Sequence, residues 1–523
     1  MANKEQRRSF RMSKAEVIDH YFYDESAYDY HDGGYVPLEE PKAPEKPLNI
    51  PEILKPDKET ATDMYYTIVA QTGEVQLMPG KKTKTWGYNA PLLGKTVVFK
   101  KGKTIHLHLV NHLPEVTTFH WHGLAIPGPI EDGGCHAPVY PGESRDVTFK
   151  IDQPAAFVWL HAHPCPSTAE QVWHGLAAGA IVQDEHESSL PLPRNYGVDD
   201  IPVILQDRRF HKGNQWNYRK DYDPDGVAGP TPMINGTINP YFDVTTQKVR
   251  LRFLDGANRR EFRLHFSDDL EFTQIAGDLS LLPHPVKMTK LLIACAERQE
   301  IVVDFGKYKP GDVVTLYSDD VPLIKFRIHE FKPDNTSIPE TLFETPDPAV
   351  DTDLPVHHVT LDGMDEAVAM NGKKFKMDRI DYKMPMGKVQ LWDICNTNPA
   401  PGMIHPYHMH GTAFEVMSRN GHAPYPNELG LKDTVAVNPG EHVVIKVWFN
   451  VPGIFMYHCH IIEHEDGGMM AQLQVVDPAV PDKKYHLMDH MTLMKAFAEE
   501  RHMPMDKLWL GGMESYKKMG MEM

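Results

Sequence analysis

The stretch from Pro439 to Met470 reads PGEHVVIKVWFNVPGIFMYHCHIIEHEDGGMM, and it carries the features that decide the fold. His442 to Phe449 is a short alternating run opened by Pro439-Gly440, the pattern of a strand with one buried face. On a strand, residues i and i+2 share a face while i+1 points the other way. His458 and His460 therefore face one side and Cys459 the other, so that one tripeptide can serve two metal sites.

Working outward, the same unit recurs. Pro439-Gly440-Glu441 is followed after nineteen residues by His458-Cys459-His460, and Pro141-Gly142-Glu143 after twenty by His161-Ala162-His163. Upstream, His408-Met409-His410-Gly411 matches His120-Trp121-His122-Gly123. The part between shares an Asn-Gly turn before a strand (Asn235-Gly236 as Asn371-Gly372) but has no His-x-His pair. Further alternating runs, such as Thr104 to Val110, Val249 to Leu254, Glu300 to Phe305 and Lys388 to Trp392, predict antiparallel strands in an all-β chain of three β-sandwich domains. The expected organisation is an extended arm over 1–50, domains over 51–190, 195–340 and 350–478, and a Met-rich tail over 479–523. The arm holds Tyr21, Tyr23, Tyr28, Tyr30 and Tyr35, read as ordering it on the body.

Composition narrows the function. With 54 Lys plus Arg against 72 Asp plus Glu, the net charge of −18 argues against a nucleic-acid partner, which needs clustered cations. No apolar run approaches the roughly 18–20 residues that span a bilayer. Arg7-Arg8 resembles the start of an export signal, but Ser13-Lys14-Ala15-Glu16 stands where its apolar region belongs. The expectation is a cytoplasmic chain with reduced thiols. The unusual features are 29 His and 26 Met beside 5 Cys.

Donor chemistry selects the metal. A thiolate, two imidazoles and a weak axial thioether form the blue-copper set. Cys459, His464 and Met469 lie at offsets of five and ten on one loop, and His405 would join from an earlier strand. The remaining eight histidines, in four His-x-His pairs, suit a group of copper ions that binds dioxygen. A zinc site, the simpler reading, needs only four ligands and leaves most of the set unused.

These four motifs resemble those of the multicopper oxidases, the family of laccases, bilirubin oxidases and bacterial cuprous oxidases, over residues 60–478. Asp132-Gly133-Gly134 and the Gly-Met-Met ending at Met470 are most similar to the bacterial three-domain, laccase-like members. The resemblance implies three cupredoxin-like Greek-key domains and about four copper ions per chain. It places a type 1 copper on His405, Cys459 and His464 with Met469 axial, and a type 2 copper on His120 and His408. One type 3 copper would take His122, His161 and His460, the other His163, His410 and His458. The cluster would sit between the outer domains, with the middle domain as a spacer. Electrons would enter at His464 and pass through Cys459 to His458 and His460, and dioxygen would be reduced to water. Asp132 and Glu465 are the expected proton carriers, or else partners that orient a histidine.

The implied activity is oxidation of phenols or aromatic amines by a monomer. The alternatives are a cuprous or other metal-ion oxidase serving copper tolerance, a bilirubin oxidase-like enzyme, and a protein of this fold that lost its copper and acts in assembly. The segment Leu361 to Asp378 holds only Met364, Met370 and Met377, and Asn398 to Met403 lacks an acid, which weakens the Cu(I) alternative. His106 and His108 read as a polar strand face, and His136 and His174 as structural. Met488, Met491, Met494 and Phe497 recur at helical spacing and predict a packed helix, whereas the Met residues of 501–523 leave a thioether store for Cu(I) open. Cys135 and Cys165 lie close to copper motifs and are expected as free thiols, and Cys295 as a core residue.

Overall fold

Residues 17–21, 36–508, 510, 511, 517 and 519 are described by the structure, a computed structural model, in which six β-sheets form three consecutive pairs. The first pair is built from strands between Lys58 and Gln183, the second from Asp200 to Lys332, the third from His357 to Val476. Alternation sets each strand's buried face: along Asp63–Val75, Met64, Tyr66, Ile68 and Ala70 point inward.

Each pair of sheets closes on its own core. Ile68, Leu107, Val158 and Leu160 fill the first, Leu251, Phe253, Leu264 and Phe326 the second, and Trp392, Ile394, Phe455 and Leu473 the third. Truncating one such side chain to Ala costs about 2–5 kcal/mol.

The sheets are mixed, not purely antiparallel as the alternating runs suggested. Every unit repeats the same two parallel pairings. They are Asp63–Val75 with Thr104–His112 and Val97–Lys100 with Ala177–Gln183 in the first unit. The second pairs Asp200–Arg208 with Lys248–Asp255 and Pro240–Thr246 with Val321–Lys332. The third pairs His357–Asp362 with Val389–Asn396 and Tyr382–Pro385 with Met470–Val476. Parallel neighbours require crossover connections, which a period-two pattern does not encode. The middle unit is thus a third copy of the topology that the histidine motifs mark only in the outer two.

Asn235-Gly236 and Asn371-Gly372 both adopt positive φ at their two residues, 50° and 71° in the first, 50° and 66° in the second. That is the tight hairpin turn such a pair favours.

The N-terminal arm ends inside the middle unit, where Lys46–Pro47 pairs in parallel with Pro240 and Tyr241. Ile18 bridges to Met288, and Lys290 Nζ lies 5.6 Å from the ring centre of Tyr21. Arg7, Arg8, Tyr23, Tyr28, Tyr30 and Tyr35 fall outside the described residues.

At the other end, His490–Glu500 is a helix capped by Asp489, whose side chain accepts from the Thr492 amide. Leu493, Met494 and Phe497 are buried, with Met488 and Met491 packed beside them. Arg501 then donates to Glu115 and Glu170 at 2.7 Å each, pinning the helix to the first unit. Met513, Met521 and Met523 lie outside the described residues. Among those residues no helix is long and apolar enough to cross a membrane.

Candidate metal centre

Two antiparallel ladders bring the histidine motifs together. In the third unit His405–Met409 pairs with Gly453–Cys459, setting His408 opposite His458 and Tyr407 opposite Cys459. In the first unit His161 stands opposite His120 and Trp159 opposite His122. Cross-strand partners share a face, so His408 and His458 point one way and Cys459 the other, on the side of His405.

On the Cys459 face, Sγ lies 3.4 Å from His405 Nδ1 and 3.8 Å from His464 Nδ1. Both rings are oriented from behind. Asn398 Nδ2 is 2.8 Å from His405 Nε2, and Asp225 Oδ1 is 3.1 Å from His464 Nε2. Met469 is buried in the same core as Cys459, whose amide donates to the Met469 carbonyl at 3.1 Å. Burial pushes the Cys459 thiol up, and burial holds both imidazoles low and so neutral.

The opposite face gathers eight buried imidazoles. His120, His122 and His408 form one group of converging ligand atoms, His122, His161 and His460 a second, and His163, His410 and His458 a third. Backbone carbonyls fix several rings: His120 Nδ1 is 2.9 Å from the Asp132 oxygen, His408 Nδ1 2.9 Å from that of Asp433, and His161 Nδ1 2.8 Å from that of Ala162. Their Nε2 atoms are left without partners, as are His122 Nδ1 and both ring nitrogens of His460. Buried polar atoms without partners are costly. The Nε2 atom of His458 also sits 3.3 Å from that of His163 and 3.1 Å from that of His410. Burial and neighbouring imidazoles push His410 down to about 4 and His460 to about 3. Converging, otherwise unpaired imidazole nitrogens suit bound metal, and a buried thiol with two imidazoles and a Met in the same core is the donor set that fits copper.

Carboxylates frame this face. Asp132 Oδ2 lies 2.9 Å from His410 Nδ1. Its loop reaches there because Gly133, at φ 78°, presses on the strand of His120, where a Cβ would overlap the Phe119 carbonyl. Burial opposes ionisation of Asp132, but His410 and His120 hold it well below the usual carboxylate range. Glu465 does the reverse. It lies 3.4 Å from His163 Nδ1 and 3.3 Å from His458 Nδ1, and burial with Asp466 and Glu463 nearby keeps its carboxyl well above the usual range.

Sequence reasoning missed several of these partners. Asp433 is one: its Oδ1 lies 3.3 Å from His122 Nε2 and accepts from Arg298 Nη1 at 2.7 Å. The middle unit contributes no residue to the four His and Cys groups, yet it is more than a spacer, since it supplies Asp225, Arg298 and Asn258, whose Nδ2 donates to Glu463 at 2.9 Å. His106 and His108 instead meet Asp63 at 2.8 Å and Asp146 at 2.7 Å on the outer face of their strand. His136 accepts the Met488 amide at 3.1 Å, joining the C-terminal segment to the first unit.

Three β-sandwich units, with a thiol–imidazole site and an eight-histidine site on opposite faces of one strand, define a copper protein of the cupredoxin type. Comparison with known proteins places it further. Two multicopper oxidase family models match residues 69–187 and 349–479. Multicopper oxidase mco of Staphylococcus aureus is 38% identical over 82% of this chain and 92% of its own length. The crystal structure of a multi-copper oxidase from Pediococcus acidilactici is 55% identical, covers 90% of this chain and 100% of its own, and superposes with a TM-score of 0.89. Cell division protein FtsP of Escherichia coli is 31% identical over 84% of this chain and 95% of its own length. The chain belongs to the multicopper oxidase family.

Proposed function

We propose that this protein is a laccase-like oxidase that takes single electrons from phenols or aromatic amines at the Cys459 site and reduces dioxygen to water at the eight-histidine site. The observation that carries the reading is the two-faced strand end. Cys459 is bonded directly to His458 and His460, so the two sites are joined by a few covalent bonds. In the proposal His405, Cys459, His464 and Met469 would hold a type 1 copper, and His120 with His408 would hold a type 2 copper. The two triads His122/His161/His460 and His163/His410/His458 hold the type 3 pair. Copper at these positions supplies one-electron redox chemistry and dioxygen binding.

The chain's own groups orient ligands and move protons. Asn398 and Asp225 aim the two imidazoles at Cys459. Asp225, whose side chain is 13% exposed, is the acceptor we assign for a phenol proton or an amine cation arriving at His464. Glu465, kept protonated, is the proton donor beside His163 and His458, while ionised Asp132 holds His410. Two carboxyl groups whose surroundings drive them in opposite directions suit divided roles. A reducing, cytoplasmic setting remains part of the proposal.

Oxygen uptake by the copper-loaded protein with phenols, aromatic amines, bilirubin and Cu(I) tests the assignment. Turnover confined to Cu(I) would replace the phenol reading by the metal-ion one. A second reading, a role in cell division, draws on the likeness to FtsP. The complete ligand set favours the oxidase, and a copper-loaded protein that consumes no oxygen with any of these reductants would favour the other.

A further inference from the structure

The thiol of Cys165 and the imidazole of His490 face each other across the junction between the first unit and the C-terminal helix. Sγ of Cys165 lies 3.9 Å from Nε2 of His490, and both side chains are buried. Neither belongs to the groups described above. As a hydrogen bond the contact is long and its thiol donor weak. As a donor pair for a metal it is well spaced: in the same chain Cys459 Sγ lies 3.4 and 3.8 Å from the two imidazoles it shares a site with.

The surroundings are rich in sulfur. Cys135, Met377, Met456, Met470 and Met494 share the same apolar cluster, and Cys135 Sγ stands 3.7 Å from Met456 Sδ. Burial pushes His490 down to about 4, so its ring is neutral and able to bind a metal at neutral pH.

We propose that Cys165 and His490 form an additional metal site, one that takes a monovalent soft cation such as Cu(I) and fastens the C-terminal helix to the first unit. Soft donors select the ion, since thiolate and thioether sulfur prefer Cu(I). Charge selects it too. Binding replaces the thiol proton with the cation, Cys–SH plus M⁺ giving Cys–S–M plus H⁺, so the site stays neutral with a neutral imidazole on the other side. A divalent ion would add charge to an apolar cluster, which is costly. The inference is independent of the oxidase reading, because it uses no residue of the oxidase sites.

Ag(I) is the probe, being soft, monovalent and not oxidised by the copper centres. The copper-loaded full chain is exposed to Ag(I) and desalted, and its silver content, copper content, blue absorption and Tm are measured. The same is done for His490→Gln, Cys165→Ala and His490→Cys. The expected result is that the parent retains about one equivalent more silver than His490→Gln or Cys165→Ala. Silver should raise the parent's Tm but not theirs, because a ligand bound only by the folded state stabilises it. His490→Cys, which restores a soft donor, should recover the extra silver. Copper content and blue absorption should be equal in all four. Equal silver retention by the parent, His490→Gln and Cys165→Ala would overturn the site. So would a silver difference in His490→Gln and Cys165→Ala that is accompanied by loss of copper, since it would belong to the oxidase sites.

Discussion

Asp225 Oδ1 stands 3.1 Å from His464 Nε2, although the two residues are 239 apart in sequence and in different units. The contact turns the other ring nitrogen toward Cys459 and places a carboxylate on the outer side of the His464 imidazole, the proposed entry point for electrons.

If Asp225 receives the substrate's proton or positive charge, Asp225→Asn lowers kcat/KM for phenols and cationic amines by about tenfold, or about 1.4 kcal/mol of transition-state stabilisation. An anionic one-electron reductant loses nothing. Steady-state oxygen uptake with the two classes of reductant, at matched blue absorption, reads this out. An equal loss for both would assign Asp225 to holding His464 alone.

Glu465 lies 3.4 Å from His163 and 3.3 Å from His458, and burial with Asp466 and Glu463 nearby pushes its carboxyl well above the usual range. Glu465→Gln keeps the shape but removes the transferable proton. The expected fall in kcat is about 10²–10⁴, the usual scale of general-acid contributions. Copper content and blue absorption should not change. Stopped-flow reoxidation of the reduced enzyme by dioxygen should carry the defect, with reduction by substrate unaffected.

Acid should weaken the metal-free protein. Burial and neighbouring imidazoles hold His410 at about 4 and His460 at about 3, against the ordinary 6.5 that these side chains recover on unfolding. The unfolded chain therefore binds more protons below about pH 6.5, and stability is lost as the pH falls from there through about 4. Thermal melts of the metal-free chain should show Tm falling steadily across that window. Copper, which binds the neutral rings, should hold Tm higher over its upper part.

Arg298 donates to Asp433 from both terminal nitrogens, at 2.7 and 2.5 Å, in a fully buried place between the middle and third units. Arg298→Met leaves a buried carboxylate unpaired beside His122, at a cost of about 3–5 kcal/mol. Denaturant midpoints should fall accordingly. Arg298→Lys, which keeps the charge but not the paired donors, should recover part of the loss.

What the sequence disclosed and what it hid divide along physical lines. Alternation is local, so the opposed faces of Cys459 and its flanking histidines, and the all-β class, were legible from a few residues. All ten histidines marked by the motifs fall within the four groups that the structure assembles. Asn398, Asp225, Asp433 and Arg298 were not recognised as partners, because each acts through a side chain brought in by tertiary packing. Asp433 meets His122 across 311 residues. Nothing in the spacing of a lone polar residue marks such a contact. The parallel pairings were hidden for a similar reason, since period two fixes a strand's faces but not its neighbours.

Whether one strand end joins a thiolate copper site to a dioxygen-reducing cluster is decided by Cys459→Ser in copper-loaded protein. Serine keeps the size and removes the soft donor. The blue absorption and the oxidase activity should disappear together, while the eight-histidine site keeps its copper and the fold its Tm to within a few degrees. A variant that stays blue, or that oxidises phenols at the parent's rate, would contradict that arrangement.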